Sequence, residues 1–134
     1  MWGGFYVVWV TNKKIWKIRA NILGFTTQNP SCYEISTNAA TTRQRKVTID
    51  GMTCIIYKPF VEINSSNYKE LQFLDLMLNI DKYSELNQSE LTKKLNKYIV
   101  DNELNLELIK EYIVYYPDKI FKNFYYGGII DALV

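Results

Sequence analysis

The sequence predicts an α+β fold: a small, mostly antiparallel β-sheet packed against helices from the C-terminal half. Three observations carry this. Asp50-Gly51 separates two strand-like runs, 46–49 and 52–57, and Asp-Gly is a strong hairpin signal because a type I′ turn needs positive φ at both central residues. The run 52–57 is apolar nearly throughout, as a central strand should be. After Ser65-Ser66, apolar residues recur at helical spacing.

The elements can be justified in order. Residues 5–10 make a short apolar strand. Thr11-Asn12 can turn or cap, and residues 13–23 read as a helix. Ile15, Ile18 and Ile22 share one face, Trp16 and Leu23 widen it, and Lys13, Lys14 and Lys17 lie off it. Gly24 stands where a C′ glycine would end that helix. Residues 24–30 form a turn, 32–36 a strand, and 37–44 a polar connection into the hairpin. Val47-Thr48-Ile49 alternates as a half-buried strand does. Lys58-Pro59 ends the hairpin, since proline cannot donate to the ladder. Residues 60–63 then continue as an edge strand.

The second half is helical in pattern. Asn67 followed by Glu70 resembles a capping box, with Ser66 a rival cap. Leu71, Leu74 and Leu78 form a stripe, and Phe73, Met77 and Ile80 beside it imply a helix buried on several sides. Asn87 with Glu90 starts another helix, with Leu91, Leu95, Tyr98 and Ile99 inward. Leu106, Ile109 and Ile113 give a third. Pro117 interrupts, Asp118 caps a short helix over 119–125, and Gly127-Gly128 turns the chain into an apolar tail.

A chain of 134 residues is expected to be a single domain, 1–134, large enough to bury a core. Its apolar runs fall far short of the roughly 20 residues of a membrane span, so no membrane partner is expected. Met1 to Val10 lacks a signal peptide's basic start and cleavage site, and the expected location is cytoplasmic. Cys32 and Cys54 both fall on expected strands, either as buried thiols or as a disulfide between neighbouring strands. Charge is uneven. Residues 1–62 hold eight Lys/Arg against three Asp/Glu, a net +5, while 63–134 hold eight against eleven, a net −3. A basic front half suits phosphate or an acidic protein surface, or is an ordinary solvated face.

The residues argue against catalysis. The chain has no histidine, which removes Ser-His-Asp and Cys-His schemes. Two cysteines without histidine do not make a usual structural zinc site. There is no GxxxxGK[ST] loop and no GxGxxG. No metal and no cofactor are expected. One pattern is nuclease-like: Asp50 opens a strand that ends in Lys58, with Glu34 and Glu62 on neighbouring segments. Metal-dependent nucleases place an acid two residues before such a lysine to hold Mg²⁺. That position is Ile56, so a degenerate nuclease-like fold kept for binding is the most this pattern supports.

The polar residues bunch at the turns. Pro30 disfavours the α region at Asn29 and so stiffens the turn that carries Thr27 and Gln28. Thr37 and Asn38 supply a hydroxyl and an amide, either for a partner or for their own backbone in a turn. Arg43, Arg45 and Lys46 match an anionic surface, phosphate or carboxylate, or simply solubilise the hairpin.

In order, GFTTQNP, YEISTN, RQRKVTIDG and YKP resemble the C-terminal domain of AbiEi-like antitoxins of type IV toxin–antitoxin systems, and LQFLDLMLNIDKY continues the likeness. It covers residues 18–83 well and the helical remainder loosely, resting on the order and spacing of the motifs. The matching residues are Thr27, Gln28, Pro30, Thr37, Asn38, Arg45, Ile49 and Gly51. The resemblance implies a bacterial antitoxin of phage defence, not an enzyme, whose partner is a nucleotidyltransferase-like toxin encoded beside it. In that family a winged helix-turn-helix before this domain binds the operator and regulates transcription. Here the antitoxin-type domain starts almost at residue 1, so the expectation is either neutralisation without promoter repression, or a fragment or truncated remnant of a longer antitoxin. The alternative, from another class, is a nucleic-acid-binding module using the basic 43–46 segment. On either reading the binding residues are Thr27, Gln28, Thr37, Asn38, Arg43, Arg45 and Lys46.

Overall fold

Strand chemistry sorts itself by position in the sheet. The computed structural model describes residues 6–11, 14–19, 33–49, 51–83 and 86–134. They belong to two compact units, Met1–Asn64 and Ser65–Val134. The first unit holds a five-stranded sheet of β1 (Tyr6–Thr11), β2 (Lys14–Arg19), β3 (Tyr33–Thr37), β4 (Gln44–Ile49) and β5 (Met52–Tyr57). Their spatial order is β2-β1-β3-β5-β4. The apolar strands YVVWVT and MTCIIY are interior, while KIWKIR and QRKVTI, which carry the cations, form the two edges. Burying the apolar strands makes this assignment the stable one, and charge on the edges discourages unselective pairing with other chains. The fold is α+β as expected, with its helices in the second unit.

Three details differ from the sequence reading. The sheet is mixed rather than mostly antiparallel. Only β1–β2 and β4–β5 are antiparallel, whereas β1–β3 and β3–β5 are parallel. The reason is that β5, the second arm of its hairpin, docks against β3 and pushes the polar arm β4 to the edge. Residues 14–19 are a strand, not part of a helix over 13–23. They pair with β1 along their whole length, from Thr11 opposite Lys14 to Tyr6 opposite Arg19. Isoleucine and tryptophan favour strands, and a neighbouring apolar strand overrides a helical spacing sustained by only two or three residues. Gly24 lies outside the described residues, so the cap assigned to it has no counterpart here.

Residues 60–63 are not an edge strand either. Asn38 takes the place of a strand partner. Its Nδ2 donates to Ile63 O at 2.8 Å, and Ile63 N donates to its Oδ1 at 2.9 Å. One side-chain amide thus satisfies both backbone groups of a residue that is only 1% exposed. Asn38→Ala is expected to destabilise the first unit by about 2 kcal/mol, because two buried groups lose their partner. All three tryptophans lie in that unit, so their fluorescence during urea unfolding reads the loss. The expected turn before Met52 is seen in Gly51, whose φ is +77°, while Asp50 lies outside the described residues. Cys54 is buried, and Cys32 lies outside the described residues.

The second unit contains α1 (Tyr68–Leu78), the single-turn α2 (Ile80–Tyr83), α3 (Gln88–Asp101), α4 (Leu106–Ile113), α5 (Lys119–Tyr126) and a closing 3₁₀ turn, Ile130–Leu133. α1 is buried on several sides, as its composition required, through Leu71, Phe73, Leu74, Leu76 and Met77. It packs on α4 and α5. Phe73 stacks on Tyr98 at 5.7 Å between centroids and meets Phe124 edge-on at 5.9 Å. Burial pushes the Tyr98 phenol up to about 12. Burial, with Asp75 beside it, raises Tyr116 well above its ordinary value. Both phenols hold protons that the unfolded chain releases from about pH 10. Stability of this unit is therefore expected to be full below pH 10 and to fall as pH rises towards about 12, readable by far-UV circular dichroism.

The helix caps show which sequence signals were obeyed. Asn87 and Glu90 form the expected reciprocal cap: Glu90 N donates to Asn87 Oδ1 at 2.9 Å, and Asn87 Nδ2 donates to Glu90 Oε1 at 2.9 Å. Asn105 accepts from Glu107 N and Leu108 N. Asn67, expected to cap α1 with Glu70, makes no side-chain cap bond. Glu70 instead accepts from Asn105 N at 2.9 Å, tying the start of α1 to the start of α4. Asp118 caps with its backbone alone: its side chain makes no cap bond and its φ/ψ is already helical.

Candidate functional site

The expected binding residues divide into three groups. Thr27 and Gln28 lie outside the described residues. Thr37 and Asn38 work within the chain. Thr37 Oγ1 accepts from Ala39 N at 3.2 Å and Thr37 O from Ala40 N at 3.2 Å, a self-closed turn after β3. Asn38 is committed to Ile63 as described. Both side chains thus have roles within the chain. Arg43, Arg45 and Lys46 remain together along β4.

These three cations are not alike. Arg43 is fastened to the end of β5: its Nη1 donates to Lys58 O at 2.5 Å, and its guanidinium lies 4.2 Å from the Phe60 ring centroid. Lys58 N in turn donates to Arg43 O at 3.1 Å, extending the β4–β5 ladder by one pair. Arg45 and Lys46 are exposed, and among the described residues neither side chain makes an ion pair or hydrogen bond. Adjacent strand residues point to opposite faces, so their charges flank both sides of the sheet edge. Arg43→Ala is expected to destabilise the first unit by about 1 kcal/mol, through the lost ring contact and carbonyl bond. Arg45→Ala and Lys46→Ala should each stay within about 0.5 kcal/mol of the parent. Thermal unfolding of the three variants, followed by tryptophan fluorescence, checks the ranking.

Sequence reasoning missed two parts of this site. Phe60 serves as a platform for Arg43, which no local pattern announced. The backbone edge of β4 itself is the other. Its exposure depends on strand order, and the only sequence signal was the contrast between polar QRKVTI and apolar MTCIIY.

The second unit has an open cavity of about 380 Å³ lined by Ser65, Ser66, Lys69, Glu70, Glu103 and Asn105, among others. Glu70 is buried there in the first turn of α1 and at the N-cap of α4. Negative charge is stabilised at both places, so the residue reads as a link between helices. Among the described residues no three His, Cys, Asp or Glu side chains gather as metal ligands. No helix among them is long and apolar enough to cross a membrane. No family model, curated protein or solved structure matches this chain.

Proposed function

We propose that the chain is a non-enzymatic antitoxin or regulatory module, similar to the antitoxin domain of AbiEi proteins, acting in the bacterial cytoplasm against a nucleotidyltransferase-like toxin. The observation that supports this reading most is Arg45 and Lys46, two exposed cations that make no ion pair among the described residues, next to an Arg43 held in place by Phe60 and Lys58. Binding residues concentrate where a rigid scaffold presents them, and β4 is such a place. The absence of histidine in the whole sequence agrees with binding rather than acid–base chemistry.

Co-expression with the nucleotidyltransferase-like protein encoded beside this chain tests the reading. Full protection by the parent is expected, with protection reduced about tenfold by Arg45→Glu combined with Lys46→Glu. No protection by the parent overturns the reading. The nucleic-acid alternative rests on the same cations. It is distinguished by a steep fall of affinity with salt for single-stranded or duplex DNA, as counterion release requires.

A further inference from the structure

β4 is a terminal strand, so among the described residues one of its backbone edges has no partner strand. Which residues face outward follows from the ladder. Lys58 N donates to Arg43 O, and in the antiparallel register 43/58, 45/56, 47/54 and 49/52 are successive alternate pairs. In antiparallel pairing, hydrogen-bonded and non-hydrogen-bonded pairs alternate. Residues 43, 45, 47 and 49 therefore bond inward to β5. Gln44, Lys46 and Thr48 turn their N–H and C=O groups outward. The strand is six residues long, fully in register with β5 and free of proline. Its side chains at 44, 45, 46 and 48 are exposed.

Edge strands are usually blunted by bulges, prolines, short length or charge. Here only charge is used. Three cations and no acidic residue occur between Ser36 and Ile49, and Arg45 and Lys46 stand on opposite faces. A neutral or basic strand approaching this edge would leave those charges uncompensated. An acidic strand would bring carboxylates opposite both of them while filling the open backbone groups. Guanidinium at 45 adds forked donors suited to a carboxylate.

We infer that β4 accepts, by strand addition, an extended acidic polypeptide segment carrying Asp or Glu at adjacent positions, one on each face of the sheet. Backbone hydrogen bonds to Gln44, Lys46 and Thr48 supply the attachment, and Arg45 and Lys46 select for acidic sequence. This rests on the reading above that the chain holds a protein partner, and it specifies how.

The test uses the full chain and a fluorescein-labelled Val-Glu-Glu-Val repeat of about eight residues (the Glu-Val peptide), the length of an ordinary strand, with acids on both faces. Anisotropy titration is expected to show saturable binding. The Gln-Val isostere and a Glu-Val peptide N-methylated at every residue should each bind about tenfold more weakly or not at all. Arg45→Glu with Lys46→Glu should weaken the Glu-Val peptide to a similar degree. So should Thr48→Pro, which keeps every charge and removes one outward N–H. Failure of the Glu-Val peptide to bind, or equal binding of the Gln-Val isostere, overturns the inference. Equal binding of the N-methylated peptide also overturns it, because attraction would then be charge alone, and this arm needs no variant to fold. Tighter binding of an oligothymidylate, lost in the charge-reversed variant, would assign the edge to nucleic acid instead. Protection in co-expression without peptide binding would leave the proposed function standing and remove only this mode of attachment.

Discussion

Asn123→Asp is expected to destabilise the second unit by about 3–5 kcal/mol at neutral pH, because it replaces a buried donor with a buried charge. Asn123 is 3% exposed on α5. Its Nδ2 donates to Met77 O at 2.8 Å and Leu78 O at 2.9 Å, and lies 3.3 Å from Asp81 Oδ1. These are carbonyls of the last turn of α1, which have no partner within that helix. One amide therefore closes α1 and fixes α5 against it. Aspartate offers no donor, and its carboxylate would face two carbonyl oxygens and another carboxylate. Burial and those neighbours would raise its pKa in the folded state above the unfolded value of about 3.9. The penalty is then absent below that pH, grows as pH rises, and is complete above the raised folded value. Asn123→Leu removes the charge but still orphans the carbonyls, and should show a smaller loss, about 2–3 kcal/mol, without that pH dependence. Urea unfolding followed by far-UV circular dichroism reads both, since the helices lie in this unit.

Gly128→Val is expected to destabilise the same unit by about 3–5 kcal/mol, from backbone strain and a clash together. The end of α5 is a Schellman motif. Ile129 N donates to Phe124 O at 3.0 Å and Gly128 N to Tyr125 O at 3.0 Å. This places Gly128 at the left-handed position, with φ +72°. A Cβ there would also run into the Thr92 hydroxyl. That hydroxyl is held by Gln88 O at 2.9 Å and Gly127 O at 2.8 Å, so it is not free to yield. α3 has the same closure, with Leu104 N to Ile99 O and Glu103 N to Val100 O, but it carries Glu103 at φ +51°. The difference shows that Gly128 is required by Thr92 as well as by its φ. Gly128→Ala in a Thr92→Ala background should therefore recover part of the loss, whereas a purely conformational origin predicts no recovery.

Much of the architecture was written in local pattern. Asp50-Gly51, the apolar run of β5, the Asn87/Glu90 cap and the stripes of α1, α3 and α4 all predicted elements that formed. Each rests on interactions within a few residues, so one stretch of sequence contains its own cause. The errors are of the opposite kind. Residues 14–19 became a strand because β1 was available to pair with. Residues 60–63 formed no edge strand, and the Asn38 amide, distant in sequence, bonds both backbone groups of Ile63. Glu70 accepts instead from the N-cap backbone of α4, a partner 35 residues away that no local pattern announces.

The candidate site divides in the same way. The sequence alone determined that cations cluster at 43–46, that no histidine is present for catalysis, and that a hairpin carries the cluster. Only the tertiary structure decided that β5 takes the interior place and β4 the edge, because burial of MTCIIY outweighs burial of QRKVTI. That choice turns backbone groups of Gln44, Lys46 and Thr48 outward, fastens Arg43 over Phe60, and leaves Arg45 and Lys46 without an ion pair among the described residues.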